Sequence, residues 1–361
     1  MISAALPDAP PANERTPCRV YLPDVARERI ERVARLRDVL GRPPLALVSA
    51  FSVKTNPRAE LLATARACGY RAEVISADEL RWARRLGFDA GAIVYNGPEP
   101  LLAAEGGEQV GLIFADSVEA FARNAGRGVA LVGGARLRPS MLDSRFGVPV
   151  DDDDALAAAV ARTPPAAPFA VSFHARRGDF HGASWRDVAA DVLERAIALQ
   201  SRTGRPIVAF DVGGGWTPEE FDAEFERDVR WLVGRIVAEL PTARELIFEP
   251  GQAVCTPAEA LVTRVVELRE RRARREAILD AGYPEWPQMH SYVHAIFAWR
   301  DGGWRALGRG PDRLGGRTCL EYDVIDGVRF PPDLAEGDVL LIAGTGSYDR
   351  SMAFDFARGG A

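Results

Sequence analysis

The chemistry open to this chain turns first on one side chain. The chain has 361 residues with 45 Lys and Arg together, and Lys54 is the only lysine. Every other basic residue of that set is arginine, which keeps its proton near neutral pH and cannot serve as an amine nucleophile. A Schiff base from a side chain must therefore come from Lys54. A free lysine amine, with a pKa of about 10.4, is protonated and unreactive until burial or covalent engagement changes it. Three further features carry chemistry. Glu249, in Glu249-Pro250-Gly251, is a carboxylate after an apolar run. Buried there it needs a cationic partner, either an arginine or a protonated pyridine nitrogen, and the second pairing would keep the ring an electron sink. Gly213, Gly214 and Gly215 form a run that can expose backbone N–H groups to a phosphate, or simply make a tight turn. The run is not G-x-G-x-x-G, so no dinucleotide fingerprint is present. His174 offers a flat ring that could stack on a cofactor, or fill a core position.

These residues must be positioned by the elements around them. Strand-like apolar runs occur at 45–52, 72–76, 92–95, 111–115, 129–137, 169–174, 206–212 and 245–249. Amphipathic stretches lie between them at 58–68, 77–86, 118–124, 185–200 and 218–239. Short buried strands alternating with helices indicate a parallel sheet. Eight such units in residues 27–255 predict a closed (β/α)8 barrel rather than an open sheet. Active sites of such barrels sit at the C-terminal ends of the strands. Lys54 follows the first strand, His174 ends the sixth, the glycine run follows the seventh and Glu249 ends the eighth.

After Gln252 the pattern changes. Residues 262–277 read as an Arg-rich helix or as an extended strand running into charge. Strand-like pieces follow at 277–280, 292–299, 319–324 and 339–343, separated by Gly and Pro turns that include 308–316. Residues 256–361, with an N-terminal strand from 1–26, read as an all-β domain. The run Asp151–Asp154 reads as a solvated loop or a helix start.

Composition excludes several classes. Hydrophobic residues make up 47% and charged residues 27%, which suits a packed globular protein and not a disordered one. The net charge of −6 argues against a nucleic-acid surface. No apolar run approaches the roughly 20 residues of a membrane helix, and the N-terminus lacks the pattern of a secretory signal. Four scattered cysteines without C-x-x-C spacing argue against zinc and for a reducing, cytoplasmic setting.

Together the motifs resemble the ornithine/diaminopimelate decarboxylase family, the fold-type III pyridoxal 5'-phosphate (PLP) enzymes. Phe51–Pro57 (FSVKTNP) is similar to the family's Schiff-base lysine motif, Glu73–Leu80 to its second strand–helix motif, and Ser144-Arg145-Phe146-Gly147 to its S-K-F-G. Phe173-His174 stands in the place of the cofactor-stacking histidine, Asp211–Gly215 in that of the phosphate-binding glycines, and Glu249-Pro250-Gly251 in that of the pyridine-nitrogen motif. Asp280-Ala281-Gly282, Cys319…Asp323 and Gly344–Tyr348 resemble its C-terminal motifs.

The resemblance implies an alanine-racemase-like barrel followed by a β-domain, PLP as cofactor, and a homodimer with shared active sites. It places Lys54, His174, Gly213–Gly215, Glu249, Gly251, Gln252 and Tyr348 at the cofactor. It implies Cys319, from the partner chain, as the acid that returns a proton to the α-carbon; the competing reading is a small buried apolar side chain. Leu320, Glu321 and Asp323 fall where substrate is recognised. The family's H-x-G-S reads His174-Ala175-Arg176-Arg177, so Arg177 takes the place of a phosphate-contacting serine. Its E-P-G-R ends here in Gln252, and Leu320 replaces an acid after the cysteine. Cys319-Leu320 and His174-Ala175 partly resemble carboxynorspermidine decarboxylases. The expected activity is PLP-dependent decarboxylation of an L-amino acid or an amino-acid-derived conjugate, in a biosynthetic pathway of siderophore, peptide-antibiotic or polyamine type. Two rivals stand beside it: a racemase of the same fold type, and a decarboxylase-like regulatory protein that has lost catalysis. The carboxylate at Glu249 favours decarboxylation over racemisation, and the retained Lys54 and Cys319 favour an enzyme.

Overall fold

The computed structural model describes residues 6–12, 15–41, 43–99, 109–164, 167–176, 182–271 and 274–357. Two units divide the chain: Glu28–Ala253, and Met1–Arg27 together with Val254–Ala361. Strand β1 (Cys18–Tyr21) lies in the second unit.

The first unit is a closed barrel of eight strands. They are β2 (Ala46–Ser52), β3 (Arg71–Val74), β4 (Ile93–Tyr95), β5 (Val110–Ala115), β6 (Ala130–Arg136), β7 (Phe169–Ser172), β8 (Ile207–Asp211) and β9 (Glu245–Phe248). All pairings are parallel, and β9 returns to β2 through Ala46↔Glu245 to Ser49↔Phe248. Each of the eight apolar runs became a strand, too short for a stable buried helix and pairing its backbone groups with parallel neighbours on either side. The intervening helices start where a side chain can accept an orphan N–H. Ser76 caps Ala77–Arg85, Ser117 caps Val118–Arg127, and Ser184 with Asp187 forms a capping box on Trp185–Thr203. The acidic run enters the first turn of the helix Asp153–Ala161, where carboxylates favour the positive helix end. The stretch expected as one helix from 218 to 239 carries a π turn at Phe221–Phe225, where Phe225 stacks on Trp216, Phe221 and Phe248.

Inside the barrel an apolar layer is formed by Ala50, Val94, Leu112, Phe114, Ala170, Ala209 and Ile247. On β6 the facing position is Gly134; a Cβ there would stand 2.9 Å from the Phe114 ring, so the missing side chain makes room for the phenyl. Arg71 on β3 and Glu245 on β9 pair at 2.5 and 2.7 Å.

The second unit is an eight-stranded sheet. Its main path runs through β10 (Glu259–Arg271), β11 (Arg274–Leu279), β12 (Ile296–Arg300), β13 (Gly303–Ala306), β14 (Gly308–Gly315), β15 (Val324–Arg329) and β16 (Val339–Ala343), and β1 pairs antiparallel with β10. The ambiguous stretch 262–277 is strand, since β10 finds partners in β1, β11 and β16. Two expectations are corrected. Residues 308–316 are not a turn: β14 pairs parallel with β11 and, with register shifts, antiparallel with β15, so tertiary pairing overrides the Gly and Pro content. Residues 319–324 are not a strand. The Asp323 carboxylate accepts from Tyr283 N (2.7 Å), Thr318 N (3.1 Å) and Thr318 Oγ1 (2.6 Å), which rolls the chain into a loop before β15 begins. The core of this unit gathers Val265, Trp286, Leu314, Phe330, Leu340 and Ile342.

Asp349 is buried in the same unit. Burial pushes its carboxyl up to about 7, Glu259 adds to the rise, and the Gln288 amide and Arg19 oppose it. A carboxyl raised above its unfolded value stabilises the fold while protonated; that contribution is complete below pH 4 and disappears as pH rises through 7. Asp349→Asn is therefore expected to gain on wild type by up to about 1.4 kcal/mol per pH unit across that window, as read from urea midpoints at pH 4.5, 6 and 8. Parallel profiles would refute the assignment. Among the described residues, no helix is long and apolar enough to cross a membrane, and no cluster of His, Cys, Asp and Glu could hold a metal ion.

Candidate active site

One step of two residues beyond the apolar barrel layer, the strands change character. Strand alternation brings Ser52, Glu73, Asn96, Asp116, Arg136, Ser172, Asp211 and Glu249 to one level at the C-terminal end of the barrel. Each strand, or the residue directly after it, contributes one polar residue.

Lys54 follows β2 in a single 3-10 turn, Val53–Thr55. Its Nζ donates to both oxygens of Glu73 at 2.7 Å, and Ser52 Oγ donates to Glu73 Oε2 at 2.7 Å. Glu73 is fully buried, whereas Lys54 keeps 24% of its side chain exposed. The lysine is thus anchored at its base and open at the barrel mouth. Burial pushes the Glu73 carboxyl up to about 7, against the pull of Lys54.

Glu249 is almost completely buried, and Asn96 Nδ2 donates to its Oε1 at 2.8 Å. Burial works against its ionisation, but His174, Lys54 and Asn96 together hold the carboxyl down at about 2. Its Oε2 makes no hydrogen bond within 3.5 Å; His174 Nδ1 lies 3.6 Å away, and the Asp211 carboxyl stands beside it. Gly214 N lies 3.2 Å from the same ring nitrogen, while burial lowers the ring's affinity for a second proton and Glu249 opposes that. Asp211 accepts from Gly213 N at 2.8 Å through Oδ1. Burial, then the charge of Glu249, pushes its carboxyl well above the ordinary range. Neighbouring carboxylates in one low-dielectric site separate in this way, one taking the charge while the others keep protons.

The glycine run is shaped by clearance. A Cβ on Gly213 would meet His174 Nδ1 at 2.6 Å, and one on Gly214 would meet Glu249 O at 2.4 Å. Gly213 and Gly215 also take positive φ, +66° and +91°. Two of the three amides are spent inside the protein, on Asp211 and His174; the Gly215 N–H has no acceptor among the described residues. Gly251 plays the same part on the other side, where a Cβ would lie 2.3 Å from Thr55 Oγ1. Gln252 follows, buried, at the start of a four-residue helix. Gly214→Ala is expected to force the loop off Glu249, costing roughly 1–3 kcal/mol of stability in a denaturant titration. An unchanged midpoint would show that the loop yields freely.

The sequence-predicted residues divide between the two units. Lys54, His174, Gly213–Gly215, Glu249, Gly251 and Gln252 gather in the barrel. Cys319, Leu320, Glu321, Asp323 and Tyr348 lie in the β-unit. There Cys319 and Glu321 are exposed, Leu320 is half-buried, and Asp323 is buried with its carboxylate committed to Thr318 and the Tyr283 amide. Tyr348 is half-buried and takes a positive φ of 63°. Arg177 lies outside the described residues. Sequence reasoning missed Asn96 and gave Glu73 and Asp211 no role beyond the motifs they open, although the step of two beyond each strand's last inward apolar residue points to Asn96 and Asp211.

The comparisons bear on this arrangement. No protein-family model matches the chain. The diaminopimelate decarboxylase of Zymomonas mobilis subsp. mobilis is 26% identical over 365 residues, spanning 94% of this chain and 84% of its own length. The lysine/ornithine decarboxylase of Selenomonas ruminantium is 25% identical, spanning 85% of this chain and 80% of its own. Over most of its length the chain is similar to diaminopimelate and lysine/ornithine decarboxylases. Among solved structures, that of SrLDC in complex with PLP and cadaverine superposes with a TM-score of 0.77 at 21% identity, over 95% of this chain and 88% of that one. The barrel and the β-unit are thus the fold of these decarboxylases.

Proposed function

We propose that the chain is a PLP-dependent decarboxylase acting on an L-amino acid or an amino-acid-derived conjugate. The observation that carries this reading is the pairing, in one barrel mouth, of the only lysine with a buried, ionised Glu249 whose Oε2 makes no hydrogen bond.

The residues present fit PLP. Glu249 Oε2 makes no hydrogen bond, and a protonated pyridine nitrogen is a donor that carries the balancing charge. Gly215 N–H is open to a phosphate oxygen, on a loop where any Cβ at Gly213 or Gly214 would collide. Lys54 supplies the amine that holds the cofactor covalently. When bound, PLP supplies an electron sink for the carbanion left as carbon dioxide departs. Glu249, ionised across the physiological range, keeps the proton on the ring nitrogen. Glu73, with its carboxyl near 7, exchanges a proton with Lys54 Nζ at 2.7 Å. His174 presents its ring beside the Gly214 amide. Tyr348 contacts phosphate, with Arg177 as a further anion contact in place of the family's serine. Cys319 returns a proton to the α-carbon from a thiol, with Leu320, Glu321 and the Asp323 loop beside it, and a homodimer brings it from the partner chain.

Gln252 and Leu320 support a substrate whose distal group is not the one the family's arginine and acid recognise. A biosynthetic role and a cytoplasmic location complete the proposal. The test is incubation of the holoenzyme with carboxyl-labelled L-amino acids and their conjugates, following labelled carbon dioxide together with chiral analysis of the recovered amino acid. Release of label by wild type and none by Lys54→Ala supports the reading. An enantiomer without carbon dioxide would make the protein a racemase, and neither product from a PLP-binding protein would make it a regulatory relative.

A further inference from the structure

Tyr348 stands in a backbone conformation that a bulky residue seldom adopts, φ +63°. Such a residue is strained and persists only where its surroundings over-determine it. Within the β-unit the turn is held by Thr345 N to Glu259 O (3.0 Å), Asp349 N to Ser347 O (2.8 Å) and Met352 N to Tyr348 O (2.8 Å). Gln288 N also donates to Asp349 Oδ1 at 2.9 Å.

One side chain reaches carbonyls on both sides of the tyrosine. Arg19, on β1, donates from Nη1 to Thr345 O at 3.2 Å and from Nη2 to Asp349 O at 2.8 Å. The same Nη2 donates to Glu285 O, on the segment whose Glu285 carboxylate holds Arg317. The planar fork of a guanidinium suits this task, since it directs several N–H groups at separate acceptors at once. The carboxylates of Asp349, Glu259 and Glu285 face Arg19, and Arg350 opposes it.

We propose that Arg19 is a positioning residue: from the N-terminal strand it clamps the turn 345–349 and so fixes the stance of Tyr348. The inference rests on the reading of Tyr348 as a cofactor contact only in its functional consequence; the clamp itself is a property of the β-unit. Arg19 acts on the cofactor through Tyr348 and does not touch it.

The test uses the full-length protein with Arg19→Met, Arg19→Lys, Tyr348→Phe and the Arg19→Met/Tyr348→Phe pair. Hydrogen exchange of the 344–352 segment is read first, without PLP. Exchange about tenfold faster in Arg19→Met, with β12 and β16 unchanged and Arg19→Lys intermediate, is expected. Exchange equal to wild type overturns the clamp, as does acceleration spread evenly over the sheet. Should Arg19→Met not fold, Arg19→Lys carries the same comparison. PLP titration of the apo proteins is read second. Arg19→Met is expected to weaken PLP binding at least as much as Tyr348→Phe, and the double variant no more than the weaker-binding single. Fully additive losses would overturn the positioning role. If Tyr348→Phe leaves PLP binding intact, the assignment of Tyr348 to the cofactor falls, while the exchange result still decides whether Arg19 holds the turn.

Discussion

Replacing Lys54 by arginine is expected to lower turnover by on the order of 10³-fold or more while leaving the fold in place. The choice of arginine follows from the pairing at the barrel mouth. Glu73 is fully buried and accepts two hydrogen bonds from Lys54 Nζ and one from Ser52. Lys54→Ala removes the charge as well as the nucleophile, and leaves burial of Glu73 opposed by Ser52 alone, so its carboxyl rises further above 7 and part of the effect is structural. Lys54→Arg keeps a cation for Glu73 and removes only the amine. The diagnostic result is Lys54→Arg protein with a wild-type melting profile, no covalently held PLP and no measurable release of carbon dioxide. Retained turnover in either variant would remove Lys54 from the chemistry, and with no second lysine in the chain the Schiff-base reading would go with it.

Glu249→Gln carries the second large effect. The glutamine keeps the shape, and its carbonyl still accepts from Asn96, but it cannot hold a charge opposite a ring nitrogen. PLP binding is expected to persist with turnover reduced roughly 10²-fold, because the electron sink weakens when the ring loses its proton. A second signature comes from the neighbours. The negative charge of Glu249 is one of the causes raising Glu73 and Asp211. Removing it lets both carboxyls fall, so the limb of the pH–rate profile set by Glu73 moves from about pH 7 toward lower pH. A variant that loses stability but keeps full activity would show that Glu249 is merely a buried ion-pair partner, and an unmoved limb would show that its charge does not reach Glu73.

How far the sequence led can be judged from particular residues. The barrel strands were legible because each is a short apolar run that must be buried on both faces, and nothing else in the chain competes for those segments. Lys54 and Glu249 were legible because residue types so unlike their surroundings follow strands at equivalent positions. Asp211 and Asn96 obey a simple rule, two residues past the last inward apolar side chain, but a strand of three to five residues gives too little alternation to fix which face is inward. Glu73 has no apolar residue two positions before it, since Arg71 pairs across to Glu245, so the rule fails there. In the β-unit the errors have one cause. β14 is strand because β11 and β15 flank it, and 319–324 is loop because the Asp323 carboxylate captures backbone N–H groups from two segments. Both depend on partners far along the chain. The strain at Tyr348 and its clamp by Arg19 are of the same kind, being separated by more than 320 residues in sequence.

The most direct measurement follows from the composition of the chain. Apo protein is loaded with PLP, reduced with borohydride, digested and mapped by mass spectrometry. The predicted result is a single phosphopyridoxyl group on Lys54, absent from Lys54→Arg, with its yield lowered by Gly214→Ala. A label confined to the N-terminal amine, or no label at all, would contradict the account.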